Sequence, residues 1–142
     1  MESDQEGNAE ADTAASALPV RTASILVVDD DAAVREILVE LLTDSGHRVR
    51  VAAGGAEALR ILAEARGGVP GEVSEVELVI SDVQMPEMSG FELADRLATG
   101  HPGIKVILIS GYYVSHDVGW RVLRKPFRMQ ELESAVQAEL TG

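Results

Sequence analysis

The chain of 142 residues contains no cysteine. This absence excludes a disulfide framework, a thiol nucleophile and a cysteine-ligated metal site, and it is consistent with a reducing compartment. The sequence also has no apolar run long enough to cross a bilayer. Its amino terminus lacks the basic start and apolar core that are typical of a signal peptide. We therefore expect a cytoplasmic protein that has no membrane partner.

Basic residues are scarce, because 12 Lys and Arg residues stand against 24 Asp and Glu residues, giving a formal net charge of −12. A surface of this charge repels nucleic acid phosphates and anionic lipids, so we expect no nucleic acid partner. Residues 1–22 are rich in Ala, Ser, Glu and Asp and have few large apolar side chains. Such a segment cannot bury enough apolar area to offset its ordering entropy. We predict that residues 1–22 form a disordered acidic tail and that residues 23–142 form one folded domain.

Short apolar runs alternate with helical patterns from Ser24 onward. The stretches "SILVV", "ELVIS" and "KVILIS" are typical of strands that are covered on both faces, whereas "HRVRVA" alternates as a peripheral strand does. The helical patterns lie between these runs, and the last, "RMQELESAVQAEL", is amphipathic. The residues of the first helical pattern that lie at helical spacing and are expected to face the core are Val34, Ile37, Leu38, Leu41 and Leu42. This order predicts an α/β protein with a parallel sheet that has helices on both faces.

Polar side chains follow four of the predicted strands. Asp29 and Asp30 end the first strand, Asp82 ends the third, Ser110 ends the fourth, and Lys125 ends the fifth. The carboxyl ends of parallel strands meet at one edge of a sheet, where the sites of open α/β sheets form. We therefore expect these five side chains to converge on one pocket.

Such a pocket favours phosphoryl transfer to a carboxylate. Neighbouring carboxylates raise one another's pKa and destabilise the fold, and a divalent cation removes that repulsion. A site of carboxylate oxygens and water is the kind that Mg²⁺ prefers. A lysine can hold an anion, and a small hydroxyl beside a glycine leaves room for a phosphoryl group and can donate to it. An aspartate would then be the nucleophile.

Four stretches, "ILVVDDD", "LVISDVQMPEMSGFEL", "VILISGY" and "RKPF", occur in this order along the chain. With these stretches the chain resembles the receiver domain of two-component response regulators, in the CheY-like superfamily. The resemblance implies a flavodoxin-like, doubly wound sheet of five strands in the order 2-1-3-4-5. It also implies a phosphorylation-controlled signalling switch. Its phosphoryl group would come from a histidine kinase or a histidine phosphotransfer protein. Since no output domain follows the last helix, the switch is expected to act through an unknown downstream protein.

The resemblance also implies a role for each residue of the acidic pocket. Asp82 matches the phosphoacceptor of the family. Asp29 and Asp30 match the acid pair that binds Mg²⁺, directly or through water. The backbone carbonyl of Gln84 would complete the metal shell together with Asp82. The resemblance thus implies Mg²⁺ as the cofactor.

The remaining positions of the family pattern concern the switch. Ser110, which precedes Gly111, matches the hydroxyl that turns toward the phosphoryl group on activation. Lys125 matches the lysine that contacts a phosphoryl oxygen, and its bond to Pro126 is expected to be cis. Val122 stands where the family usually has an aromatic side chain that reports phosphorylation.

Further departures from the family pattern affect the surface around the pocket. Trp120 points the same way as Val122 on a strand, and we interpret it as a packing residue at the sheet margin. Only fourteen residues separate Ser110 from Lys125, so the fourth helix is expected to be short, irregular or missing. Gln84 and Tyr112 occupy positions that influence access of water to the phosphoryl group. The three histidines, at positions 47, 101 and 116, are interpreted as surface residues.

Several functional alternatives stay open at this point. The protein could be a phosphate relay or sink, or the receiver fragment of a hybrid histidine kinase. As an enzyme it would be an autocatalytic phosphoacceptor that dephosphorylates itself. A phosphatase of the haloacid dehalogenase type would use Asp29 as its nucleophile, but Ala32 and Ala33 replace residues that this class needs. A receiver-like binding module that is never phosphorylated is a further alternative.

Overall fold

The computed structural model describes residues 21–66, 76–114 and 118–141. Most of the predicted acidic tail, residues 1–20, and the histidine at position 116 lie outside these residues. Contacts with the folded domain are already present at Arg21, whose guanidinium donates to the carbonyl of Leu140 and lies 2.8 Å from the Glu77 carboxylate. Within the described part of the chain, the helices are too short or too polar to cross a membrane.

The described residues form five strands and four helices. The strands are β1 (Ser24–Val28), β2 (Arg48–Ala52), β3 (Leu78–Asp82), β4 (Lys105–Ser110) and β5 (Arg121–Arg124). The helices are α1 (Ala32–Asp44), α2 (Gly55–Arg66), α3 (Gly90–Gly100) and α4 (Met129–Thr141). Each strand pairs in parallel with its neighbours in the order β2-β1-β3-β4-β5. This confirms the predicted fold class and the predicted strand order 2-1-3-4-5.

Two hydrophobic cores cover the two faces of the sheet. All five residues of β1 and all five of β3 are buried, so these central strands alternate between the two cores. Leu26 and Val28 face the core under α2 and α3, whereas Ile25 and Val27 face the core under α1 and α4. Because both faces of these strands are covered, their carboxyl ends are held firmly at one edge of the sheet.

Side-chain caps determine where α1 and α3 begin. Asp31 accepts hydrogen bonds from the backbone N–H groups of Ala33 and Val34, so it is the N-cap of α1. Ser89 and Glu92 form a reciprocal capping box at the start of α3. These caps end the two loops that follow β1 and β3, and they set the length of each loop.

The expectation that Ile37 faces the core is wrong, because 57% of this residue is exposed. Leu38 and Leu42 are the residues of α1 that the sheet buries. Each step along an α-helix turns the side chain by about 100°, so Ile37 points past the margin of the strip that Leu38 and Leu42 occupy.

The interpretation of His47 as a surface residue is also wrong. Its side chain is buried, and its Nδ1 atom accepts a hydrogen bond of 3.1 Å from the backbone N–H of Ala23. Its Nε2 atom lies 3.3 Å from the carboxylate of Glu133 in α4. Glu133 is distant in sequence, so the partner that makes burial of this imidazole favourable is provided only by the folded chain.

The segment between β4 and β5 carries no α-helix among its described residues, 111–114 and 118–120. This agrees with the prediction that the helix between β4 and β5 is short, irregular or missing. Trp120 and Val122 are half-buried and pack against the core under α2 and α3. Trp120 is therefore a packing residue at the sheet margin, as interpreted from the sequence.

Gly90 couples the start of α3 to the end of β3. Its backbone N–H donates to the carbonyl of Val83 over 2.9 Å. A Cβ atom at this position would overlap the backbone carbonyl oxygen of Asp82 and would lie 3.0 Å from the Cα of Val83. Since these neighbours are backbone atoms, a side chain could be accommodated only by moving α3 away from the strand.

We expect Gly90→Ala to lower the free energy of unfolding by about 1–3 kcal/mol, because overpacking against backbone forces such a shift. Urea denaturation measures the change. Gly103→Ala is the matched control, because a Cβ atom there meets no atom within 4 Å. Equal stability of the two variants would contradict this account of the packing at Gly90.

Candidate functional site

Three carboxylates meet at the carboxyl edge of the sheet. β1 and β3 are neighbours in register, with Val28 opposite Ser81, so the residues that follow them lie side by side. One carboxylate oxygen from each of Asp29, Asp30 and Asp82 lies within 4.8 Å of the others. Asp29 and Asp82 are only 2% and 9% exposed, whereas Asp30 faces solvent. The predicted convergence of these acids is therefore present in the fold.

Asp29 is held by hydrogen bonds that leave one of its oxygens without a donor. Its backbone N–H donates to the carbonyl of Ala52, and its Oδ1 accepts a bond of 2.8 Å from the N–H of Asp31. Its Oδ2 is buried and has no hydrogen-bond partner among the described residues. A buried carboxylate oxygen without a partner is costly. A cation beside the three acids would remove that cost, so the donor set fits a metal that prefers oxygen ligands.

Lys125 brings the positive charge to this cluster. Its Nζ atom lies 3.7 Å from Oδ1 of Asp82, and its side chain is partly exposed. Its backbone N–H donates to the carbonyl of Ser110, which fixes the residue beyond the end of β5. The peptide bond between Lys125 and Pro126 is cis, as expected from the resemblance.

The electrostatics of the cluster oppose ionisation of its buried members. Burial raises the pKa of Asp82 above its ordinary value; Lys125 lowers this pKa, and Asp30 raises it further. Burial also raises the pKa of Asp29, although the hydrogen bond from Asp31 lowers it, and the neighbouring charge of Asp82 adds to the rise. The folded protein therefore holds three carboxylates so close together that the cluster would be more stable with fewer negative charges.

The hydroxyl of Ser110 is engaged in a local turn. Ser110 is buried at the end of β4, one residue beyond Ile109, which lies opposite Asp82 in the sheet. Its Oγ donates to the carbonyl of Tyr112 over 2.7 Å and accepts from the N–H of Tyr112 over 3.0 Å. Gly111, between them, is exposed. The structure thus brings Ser110 to the correct edge while its hydroxyl is bonded to Tyr112.

The loop after Asp82 is tight and partly strained. Val83 donates its N–H to the carbonyl of Ile109, and Gln84 follows at the surface. Glu87 has a φ of 71°, and the N–H of Met88 bonds to the carbonyl of Pro86 over 2.7 Å. This combination is a γ-turn of the rare class with positive φ.

Two residues near the site have contacts that the family pattern did not specify. Val122, at the position where the family usually has an aromatic side chain, lies in β5 opposite Leu108 and packs against a hydrophobic core. Arg35, which the sequence did not single out, donates from Nη1 to the backbone carbonyl of Asp29 over 2.7 Å. The only sequence signal for this contact is its position, six residues after Asp29, as the fourth residue of a helix that starts beside the acids.

The family model of the response regulator receiver domain matches residues 25–137. The chain belongs to this family. The receiver domain is 39% identical over 126 residues to the sensor kinase CckA of Brucella abortus, a match that covers 84% of this chain and 13% of that protein. It is 32% identical over 127 residues to the DNA-binding transcriptional regulator NtrC of Azospirillum brasilense, covering 84% of this chain and 24% of NtrC. The chain thus spans a quarter or less of these two relatives.

Solved structures share the fold of this receiver domain. The response regulator TrrA of Thermotoga maritima, in complex with Mg²⁺ and BeF, is 33% identical with a TM-score of 0.68, covering 82% of this chain and 97% of TrrA. The receiver domain of an HD domain-containing protein from Pseudomonas fluorescens Pf-5 is 29% identical with a TM-score of 0.72, covering 85% and 96% of the two chains. The receiver domain is therefore a module of two-component systems, and its relatives carry different functions around it.

Asp29→Asn should stabilise the receiver domain at neutral pH in the absence of divalent cations. The pKa of Asp29 is raised in the folded state, so ionisation of this group removes stability as pH rises through that pKa. The substitution removes the charge and keeps an oxygen that can accept from Asp31. The gain should disappear below pH 3.8, the ordinary pKa, where the carboxyl is protonated in both states.

Urea denaturation in a chelator, from about pH 3 to pH 8, measures this dependence. Asp95→Asn in α3 is the matched control, because it removes an exposed carboxylate distant from the cluster in sequence. An Asp29→Asn variant that is less stable than the natural protein at neutral pH would contradict the prediction.

Proposed function

We propose that this receiver domain is a phosphorylation-controlled switch in which Asp82 is the phosphoacceptor. The observation that supports this most directly is the placement of three carboxylates within 4.8 Å of one another, with the Lys125 ammonium 3.7 Å from Asp82. Among the three acids, Asp82 is the one that has both an adjacent cation and a position at the end of a central strand. The proposed domain limits are those predicted, with a tail over 1–22 and the receiver domain over 23–142.

The proposed metal site is formed by the acid cluster. Asp29, Asp30 and Asp82, together with the backbone carbonyl of Gln84, would hold Mg²⁺, for which oxygen ligands are preferred. When bound, Mg²⁺ would neutralise part of the negative charge on the phosphoryl group during transfer. The buried Asp29 Oδ2, which has no donor among the described residues, supports this assignment.

In the proposed reaction, a carboxylate oxygen of Asp82 attacks the phosphorus of a phosphohistidine. The new P–O bond forms as the P–N bond breaks, and the electron pair of that bond returns to the imidazole, which takes up a proton. Lys125 stabilises the ionised form of Asp82 before transfer and can pair with a phosphoryl oxygen afterwards. Hydrolysis of the acyl phosphate by water would return the free carboxylate and inorganic phosphate.

The proposed donor is a histidine kinase or a histidine phosphotransfer protein. The output partner is proposed to be a protein that binds the phosphorylated form, and the proposed location is the cytoplasm. The match to the sensor kinase CckA supports a second possibility, in which the domain serves as a relay or as the receiver module of a hybrid kinase. Both possibilities use the same phosphoacceptor. They differ in which protein responds to phosphorylated Asp82, and not in the chemistry of phosphorylation.

The geometry favours Asp82 over Asp29 as the nucleophile, which argues against a phosphatase of the haloacid dehalogenase type. Asp29 is almost fully buried, and its Oδ1 is bonded to the N–H of Asp31. Asp82 carries the contact with Lys125. A binding module that is never phosphorylated would have no need for this charged arrangement, which is unfavourable without a cation.

Incubation with acetyl phosphate and Mg²⁺ should add the mass of one phosphoryl group, and peptide mass spectrometry should locate it on Asp82. Asp82→Asn should abolish the adduct, while the control Asp95→Asn should leave it unchanged. Omission of Mg²⁺ should also prevent labelling. An adduct on Asp29 would instead support the phosphatase alternative, and the absence of any adduct would support the unphosphorylated binding module.

The bonds between Ser110 and Tyr112 should break when Asp82 is phosphorylated, because the hydroxyl would turn toward the phosphoryl group. The N–H of Tyr112 would lose its acceptor, and its hydrogen exchange should become roughly 2- to 10-fold faster, as expected for the loss of one net hydrogen bond. Ser110→Thr should keep this response, whereas Ser110→Ala should show fast exchange before phosphorylation.

Exchange of individual amides can be followed by NMR before and after loading with beryllofluoride and Mg²⁺. The N–H of Lys105, which bonds to the carbonyl of Glu77, provides an internal control because it lies at the start of β4, at the opposite end of that strand from Ser110. Unchanged protection of Tyr112 in the fully loaded protein would show that Ser110 does not act as the switch.

A further inference from the structure

Arg35 connects helix α1 to the carboxylates from outside the cluster. Its side chain extends back toward the end of β1, and its Nη1 atom donates to the backbone carbonyl of Asp29 over 2.7 Å. The bond is partly buried, and Arg35 itself is half-buried. A hydrogen bond of this length from a charged donor belongs to the stronger class of protein hydrogen bonds.

The carbonyl that Arg35 holds belongs to the peptide unit that joins Asp29 to Asp30. Rotation of this unit changes ψ of Asp29 and φ of Asp30, so it changes the directions in which the two carboxylates leave the backbone. Two other polar groups of Asp29 are held separately, its N–H by Ala52 and its Oδ1 by the N–H of Asp31, while its Oδ2 has no hydrogen-bond partner among the described residues. Arg35 thus holds the backbone carbonyl of Asp29, which neither of these two bonds restrains.

The hydrogen bond from Arg35 to the Asp29 carbonyl opposes a movement that repulsion within the acid cluster favours. Asp29 is buried beside Asp82, and Asp30 adds a third negative charge nearby. Without a cation, the exposed and less restrained Asp30 is the acid that can turn outward to lower the repulsion. A bond that holds the peptide unit between Asp29 and Asp30 opposes that movement and keeps the pair ready for a metal.

We propose that Arg35 is a positioning residue that preorganises Asp29 and Asp30 for Mg²⁺ through its hydrogen bond to the Asp29 carbonyl. This inference rests on the proposed function, because it assumes that the acid cluster binds Mg²⁺. Arg35 does not contact the metal in this proposal, and its effect is transmitted by the orientation of one peptide unit.

The experiment compares Mg²⁺ binding by the natural protein, Arg35→Met and Arg35→Lys, measured by isothermal titration calorimetry with MgCl₂. Arg35→Met should weaken binding roughly tenfold, because it removes one charged hydrogen bond that is formed before the metal arrives. Arg35→Lys keeps a charged donor and should recover most of the affinity. Arg50→Met is the matched control, since it removes the same charge from an exposed position on β2.

Ionic strength separates the hydrogen bond from a general effect of charge. At about 1 M NaCl the screening length falls to about 3 Å, so an effect of charge at longer range would vanish. The ratio of affinities between the natural protein and Arg35→Met should persist at this salt concentration. A ratio that falls to one at high salt, or an equal loss in Arg50→Met, would overturn the proposal.

A spectroscopic readout in the absence of metal tests the position of the peptide unit directly. The carbonyl ¹³C of Asp29 and the amide ¹⁵N of Asp30 should both shift in Arg35→Met and should shift less in Arg35→Lys. Thermal unfolding of each variant in a chelator establishes that it is folded. If Arg35→Met does not fold, the same measurements are made on Arg35→Lys and Arg35→Gln. Mg²⁺ binding should weaken progressively from the natural protein to Arg35→Lys and then to Arg35→Gln, because the side-chain donor becomes shorter.

The outcomes distinguish this proposal from the proposed function. If the natural protein does not bind Mg²⁺, the proposed function fails. If the natural protein binds Mg²⁺ and Arg35→Met binds it equally well, with unchanged resonances for Asp29 and Asp30, the proposed function survives and the role of Arg35 is refuted.

Discussion

Repulsion among Asp29, Asp30 and Asp82 is the constraint on which the arrangement of this edge of the sheet depends. Two of the three carboxylates are buried, and one buried oxygen has no donor among the described residues. Lys125 offsets part of the negative charge, but it approaches only Asp82 closely. The cluster is therefore kept in place by the rest of the fold and is not self-stabilising.

The sheet supplies the necessary support from both of its faces. β1 and β3 are buried along their whole length, so Asp29 and Asp30, which follow β1, and Asp82, which ends β3, are held by strands that have little freedom to move. The cap of α1 and the close approach of Gly90 then determine how the chain leaves the two strands. Favourable packing in two hydrophobic cores offsets the unfavourable electrostatics at one edge, as is common where a fold carries a functional site.

Much of this organisation could be predicted because it depends on local patterns and on one topological rule. Buried strands appear in the sequence as continuous apolar runs, and parallel strands place their carboxyl ends together. Asp82 and Lys125 could therefore be assigned to one pocket before their distance was known.

Other features could not be predicted because they depend on contacts between distant segments or on side-chain direction. The burial of His47 requires Glu133, which only the folded chain brings near. The exposure of Ile37 follows from the width of the strip that the sheet covers. Two hydrogen bonds depend on side-chain rotamers, which no hydrophobic pattern specifies. One joins the Ser110 hydroxyl to the carbonyl of Tyr112, and the other joins Arg35 to the carbonyl of Asp29.

The most direct measurement of the central claim is an NMR titration of the carboxyl ¹³C resonances of Asp29 and Asp82, with and without Mg²⁺. In the absence of the metal, both groups should titrate above the ordinary pKa of 3.8, because burial and the neighbouring charges oppose ionisation. Saturation with Mg²⁺ should move both titrations to lower pH, because the cation stabilises the charged forms. Ordinary pKa values without metal, or values that Mg²⁺ leaves unchanged, would contradict the account.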